Sequence, residues 1–331
     1  MKTKIFKLKK ASLCAVPLLV ITLLASSQAL ALQELKLGGG PYFSYAPVFI
    51  ALECGYLDKS GLKVNSKFSR ASGPEMVAAL VAGEFDIVGA GVSAGIFNAV
   101  LRGIKVKIVA DKGNNKGKQS FGWLVARKEL YDSGQITKIE DIKGKNVGYP
   151  GVGSSSWIAL GLMLESKGLT FNDIKLLKMR TPDIVKALKA GTIDAATIAE
   201  PFISRAKALG VVAEIAGNGE VMGEFLQATL VTTDDMIQKK RKELEIFLQA
   251  YAAAIRDYTA NPHKPEFIQA IKKYTKLDEK IIKNCYLPYF APNGRVTPSV
   301  LEKQMEFLVK HGYVKKKIPL EQIVDNSLLP K

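Results

Sequence analysis

The stretch from Tyr149 to Gly168, YPGVGSSSWIALGLMLESKG, sets a strand end, a run of small residues and three hydroxyls directly before an apolar helix. Exposed backbone N–H groups at such a helix start can hold an acceptor-rich group. Three more demanding chemistries fail on spacing. A phosphate loop, G-x-x-x-x-G-K-[ST], finds its glycine frame in Gly148 and Gly153, but Ser154 stands where the lysine must meet the outer phosphates. The dinucleotide fingerprint begins with Gly151 and Gly153, yet Ser156 replaces its third glycine. A nucleophile elbow lacks its closing glycine, and the two histidines, His263 and His311, lie far downstream. Two readings survive for Gly153, Ser154, Ser155 and Ser156: a site for a carboxylate, sulfonate or phosphate, or an ordinary N-cap.

Other residues with binding chemistry sit at further strand ends. Tyr42, Phe43 and Tyr45 follow a glycine-rich strand, where rings either line a ligand or pack beneath the loop. Ser72, Gly73 and Ser93 head helices, so they either bind an acceptor or cap. Glu200 precedes Pro201 and either faces a ligand or pairs with a neighbour such as Arg205; Trp157 walls a pocket or fills a core. Arg180 and Arg127 are candidate partners for a ligand anion. With two histidines and no cysteine cluster, a metal site lacks ligands, and no catalytic residue or cofactor motif emerges.

The elements that must position these residues are announced by an internal repeat. GPEMVAALVAGEFDI from Gly73 aligns without gaps to TPDIVKALKAGTIDA from Thr181, and Ile50-Ala51-Leu52 recurs as Ile158-Ala159-Leu160, both at an offset of 108 residues. Each copy reads strand, helix, strand, helix, strand. Pro74 and Pro182 suit a first helical turn because the N–H they lack has no partner there, and Glu75 and Asp183 complement the positive helix end. Gly83 and Gly191 terminate those helices. This alternation predicts two α/β lobes on mostly parallel sheets, with ligands beyond the carboxyl ends of the strands. Segments 121–130 and 225–236 read as extended crossovers between the lobes, and the chain beyond Met236 as helices packing back on the first. The expected division is 1–31 a leader, 32–122 with 231–331 one lobe, and 123–230 the other.

The leader is read from Lys2, Lys4, Lys7, Lys9 and Lys10, the apolar core LCAVPLLVITLLA and the small-x-small site Ala29-Leu30-Ala31. Export with cleavage after Ala31 is expected. The formal charge of +16 includes those five lysines, and the remaining basic residues are spread without an aromatic-interleaved cluster, so nucleic acid is not an indicated partner. Cys54 and Cys285 either pair in an oxidising compartment or stay free and buried.

The strings APVFIALECGYLDKSGLKV, ALVAGEFDIVGAG, IEDIKGKNVGYPGVGSS, ALKAGTIDAATIAEPF and APNGRVT resemble the periplasmic substrate-binding proteins of ABC importers for nitrate, taurine, alkanesulfonates and thiamine pyrimidine precursors. The resemblance spans nearly the whole chain after the leader. It implies a type II periplasmic-binding fold, closure of two lobes on a small-molecule ligand, and delivery to an inner-membrane ABC permease driven by a cytoplasmic ATPase. In the pyrimidine-precursor binders an acidic residue near Glu200 meets an amino group, so the resemblance makes Glu200 a reader of a ligand donor. Enzymes share the fold, namely pyrimidine-precursor synthases and menaquinone-pathway lyases, and fold alone does not separate the two classes. The expectation is a monomeric, periplasmic, non-enzymatic receptor without a cofactor, for a sulfonate-like or aromatic organic molecule rather than nitrate.

Overall fold

The computed structural model describes Met1, residues 34–69 and residues 73–331. The expected leader, Met1 apart, and Ser72 lie outside the described residues.

Among the described residues, ten strands form two five-stranded sheets. In chain order they are β1 (Glu34–Gly39), β2 (Lys63–Phe68), β3 (Ile87–Gly91), β4 (Val106–Lys116), β5 (Gly122–Arg127), β6 (Asn146–Tyr149), β7 (Lys175–Lys178), β8 (Ala195–Ala199), β9 (Val212–Gly217) and β10 (Glu224–Thr233). The first sheet runs β2-β1-β3-β10-β4 and the second β7-β6-β8-β5-β9. Each is mixed. The strands of the repeat pair in parallel, whereas β10 in the first sheet and β5 in the second run antiparallel to both neighbours. The antiparallel strands are the two crossovers, which enter each sheet from the opposite end because the chain arrives from the other lobe. Strand β10 is wholly part of the first sheet, so residues 224–230, grouped above with the second lobe, pair instead with β3 and β4.

The repeat is carried into register. Ile87 stands opposite Leu37, and Ala195, its counterpart at the 108 offset, stands opposite Val147. The matched acids Asp86 and Asp194 do one structural job: each carboxylate accepts the backbone N–H at the start of the neighbouring strand, from Lys36 at 2.7 Å and from Asn146 at 3.0 Å. Asp86 also holds Lys240 at 2.7 Å, and Asp194 lies 3.7 Å from Arg127. Arg127 is thereby committed to a structural pair at the far end of β5. Proline stands in the first turn of helix Thr181–Lys189, and Gly83 and Gly191 adopt φ of 79° and 72° where their helices stop.

Beyond β10 the chain is helical, as its spacing predicts. Helix Arg241–Ala260 buries Leu244, Phe247, Leu248 and Tyr251 in the core of the first lobe. Helix Glu302–Lys310 reaches further, setting Phe307 edge-on against Trp157 of the second lobe, with ring centroids 5.4 Å apart. Trp157 stacks on Phe171 and meets Tyr313, so it is a core residue. Cys54 and Cys285 are free thiols; burial raises the pKa of each, and Cys285 is the deeper of the two.

Candidate functional site

A cavity of about 900 Å³ lies between the two lobes at the carboxyl ends of the parallel strands. Its first wall is built from the turn after β1, the ends of β3 and β4 and the helix start at Gly73. Its second wall comes from the turn after β6, the end of β8 and the helix start at Thr181.

Tyr42, Tyr45, Gly73, Ser93, Ser154, Ser155, Ser156 and Glu200 all line this cavity. Phe43 does not: it is fully buried in the first-lobe core, because the turn Phe43–Tyr45 is a single 3-10 winding that sends its first ring inward. Tyr45 is nearly as buried, stacks on Phe49 with ring centroids 6.0 Å apart, and donates its hydroxyl to the Gly89 carbonyl at 2.6 Å. It forms floor, with its phenol pKa pushed up by burial. Tyr42 stays half-exposed and meets Phe202 of the opposite wall edge-on at 6.4 Å. Arg180 is exposed at the cavity rim.

The serine turn divides its work. Ser154 is a cap: its Oγ accepts the Trp157 N–H at 3.3 Å and donates to the Gly151 carbonyl at 2.7 Å. Gly153, which does not line the cavity, extends its carbonyl across the cleft to accept the Ala94 N–H at 3.0 Å. Ser155 rests against Gly91 of the other wall. The turn therefore presents hydroxyls and also ties the lobes together.

Glu200 departs from its expected role. Its Oε1 accepts the Ser204 hydroxyl at 2.6 Å and the Tyr286 N–H at 2.8 Å, and Oε2 accepts the Ser204 N–H at 3.2 Å. Arg205 is not its partner. The carboxylate is consumed by the protein itself, and burial pushes its pKa up to about 7 against the pull of those hydrogen bonds.

Three side chains that the sequence did not single out complete the site. Strand β4 pairs with β10 irregularly: Ala228 stands opposite Gly113 and Thr229 opposite Asp111, which leaves Lys112 as an extra residue, and Gln227 is likewise skipped between Leu226 and Ala228. Bulges re-aim side chains in this way. Lys112 and Gln227 both line the cavity. The Gln227 Oε1 accepts from Asn115 at 3.0 Å and Asn218 at 2.9 Å, and Asn115 also accepts the N–H groups of Phe121 and Gly122, so one buried amide network joins both crossovers. Thr197 is the third. Its Oγ1, like the Oγ of Ser93, is buried at the cavity and has no hydrogen-bond partner among the described residues. Buried hydroxyls are ordinarily paired, and these two stand as exceptions in residues of the cavity wall. Among the described residues no cluster of three or more His, Cys, Asp or Glu could hold a metal ion.

Residues 28–272 match the family described as NMT1-like. A relative from Brucella abortus strain 2308, provisionally named a binding protein, is 28% identical over 276 residues, 82% of this chain and 78% of the relative. One from Bacillus subtilis strain 168, provisionally named an aliphatic sulfonates-binding protein, is 26% identical over 315 residues, 93% of this chain and 90% of its own. Among solved structures, the alkanesulfonate-binding protein of Xanthomonas axonopodis pv. citri bound to MOPS superposes with a TM-score of 0.72 at 17% identity, covering 88% of this chain and 98% of that one. The nitrate-binding protein of Synechocystis PCC 6803 gives 0.70 at 17% identity, covering 89% and 86%. These likenesses establish the fold, the two-lobed architecture of periplasmic binding proteins.

Proposed function

The chain belongs to the NMT1-like family, and from that premise we propose that it is the periplasmic solute receptor of an ABC importer, capturing a small organic molecule between its lobes and handing it to a membrane permease. The observation that carries this reading is the interlobe cavity of about 900 Å³ with one orphaned hydroxyl on each wall, Ser93 Oγ and Thr197 Oγ1. A cavity of that volume matches an organic ligand and far exceeds nitrate. Orphaned groups on both walls reward a guest that touches both at once, which favours the closed state through differential contact. The relatives named for sulfonates, and the edge-on pair of Tyr42 and Phe202 in the cavity lining, support a sulfonate-like or aromatic solute. In this reading the protein works as a monomer and performs no chemistry.

The test is a thermal-shift panel on the purified protein with alkyl and aryl sulfonates, aromatic carboxylates, pyrimidines and nitrate. A solute at a hundred times its Kd adds about 2.7 kcal/mol to stability. A shift confined to one organic class, weakened in Thr197→Val, is the expected result; a shift from nitrate alone would sink the organic reading.

A further inference from the structure

Resting on the receptor reading, the geometry points to Lys112 as the counter-ion for one negative charge on the solute, seated against the first-lobe floor. Lys112 is 2% exposed, on the bulge that turns it out of the β4–β10 ladder and toward the cavity. Its Nζ donates to Ser44 Oγ at 2.9 Å and sits 3.6 Å above the centre of the Tyr45 ring. An ammonium has three donors, and the Ser44 bond uses one. Among the described residues no carboxylate lies within the 4.0 Å of an ion pair. The nearest acid in sequence, Asp111, is held by the N–H groups of Gly113 and Ala291, both at 2.7 Å. Asp111 attracts the ammonium only from beyond ion-pair distance; buried charges in proteins are paired, and a buried lysine with no carboxylate in contact marks a place where a closer partner arrives from outside.

The backbone is shaped to hold the lysine there. Gly113 has φ of 152°, and a Cβ on it would come within 3.0 Å of both Phe121 and Ser44, so the bulge requires glycine beside the lysine. Ser93, with its unpartnered Oγ, lies on the same wall, and Thr197 faces from the other. A cation, two hydroxyls and an edge-on pair of rings suit a molecule with one anionic head and an apolar or aromatic body. The exposed Arg180 and Lys178 are not required for this recognition.

The experiment compares wild type with Lys112→Met, using benzenesulfonate and benzoate as anionic probes and benzenesulfonamide and benzamide as their neutral isosteres. Expected are a melt shift with at least one anion and none with its neutral partner, loss of about a hundredfold in anion affinity in the variant, and an unliganded variant that melts at or above wild type, because a buried cation with no carboxylate in contact has been removed. Equal shifts from an anion and its isostere, an anion shift that persists in Lys112→Met, or a variant that melts well below wild type because the lysine is only structural would each overturn the counter-ion while leaving the receptor intact. A melt unmoved by either anion overturns the counter-ion, and the receptor reading is then decided by the wider solute panel.

Discussion

The loops that follow β3 and β8 are equivalents at the 108-residue offset, Gly91-Val92-Ser93 in one lobe and Ala199-Glu200-Pro201 in the other, and both face the same cavity. They end oppositely. Ser93 stands at a helix N-cap position yet makes no cap bond, and its hydroxyl is orphaned. Glu200 carries the stronger acceptor and spends it internally on Ser204 and Tyr286. A polar residue at a cleft is thus no guide to binding until its hydrogen bonds are accounted for: the weaker group is unpaired and the charged one is architecture.

Breaking the internal side of this contrast gives the largest effect. Glu200→Ala strands the Ser204 and Tyr286 N–H groups and leaves the Ser204 hydroxyl only the Asn284 carbonyl at 3.2 Å, and should cost on the order of 3 kcal/mol in urea unfolding. Glu200→Gln should keep most of that stability and change its pH dependence. The folded pKa of Glu200 is raised to about 7 from an ordinary 4.5, so its contribution is fully present below pH 4.5 and lost as the pH rises through 7. Wild type minus Glu200→Gln should therefore be more favourable at pH 5 than at pH 8. A flat difference would mean the carboxylate is not desolvated as described.

The binding side has its own pH signature. Burial lowers the Lys112 pKa to about 7 and raises that of neighbouring Asp111 to about 7, while Tyr45 beneath the ammonium has its pKa raised and stays neutral. An anionic solute needs the charged lysine, so its affinity should fall as the pH climbs above 7, by at most tenfold per unit. Lys112→Arg, which holds its proton, should flatten the profile measured by calorimetry. A wild-type profile level from pH 6 to 9 would remove the lysine from recognition. Smaller still, Ser93→Ala should weaken solute binding by about 1 kcal/mol, roughly fivefold, without lowering the melting temperature. Ser154→Ala should do the reverse, losing about 1 kcal/mol of stability with its cap and little affinity.

What the sequence disclosed followed the repeat. Matching segments at a fixed offset located the parallel strands, the helix starts at Gly73 and Thr181 and the serine turn, because each depends on local spacing of proline, glycine and apolar residues. Lys112 and Gln227 escaped because they lie on β4 and β10, outside the duplicated unit, and because their aim is set by a bulge between strands far apart in sequence. A faint signal existed in DKGNN, a polar run inside an otherwise apolar strand. Only the packing of Tyr251, whose hydroxyl donates to the Asp111 carbonyl, and of the Tyr289 segment over that strand turned polarity into burial. Spacing leaves Phe43 and Tyr45 each open between lining and packing, and a single 3-10 turn decides it by sending one ring into the core and leaving the other as floor.

The bond from Ala94 N–H to the Gly153 carbonyl joins the lobes with main chain on both sides. It restricts side chains chiefly at Gly153, whose φ is 71° and whose added Cβ would meet that of Ala94 at 3.0 Å. On the receptor reading, the serines, rings and lysine around the cavity can be exchanged, and the solute with them, without touching this main-chain bond.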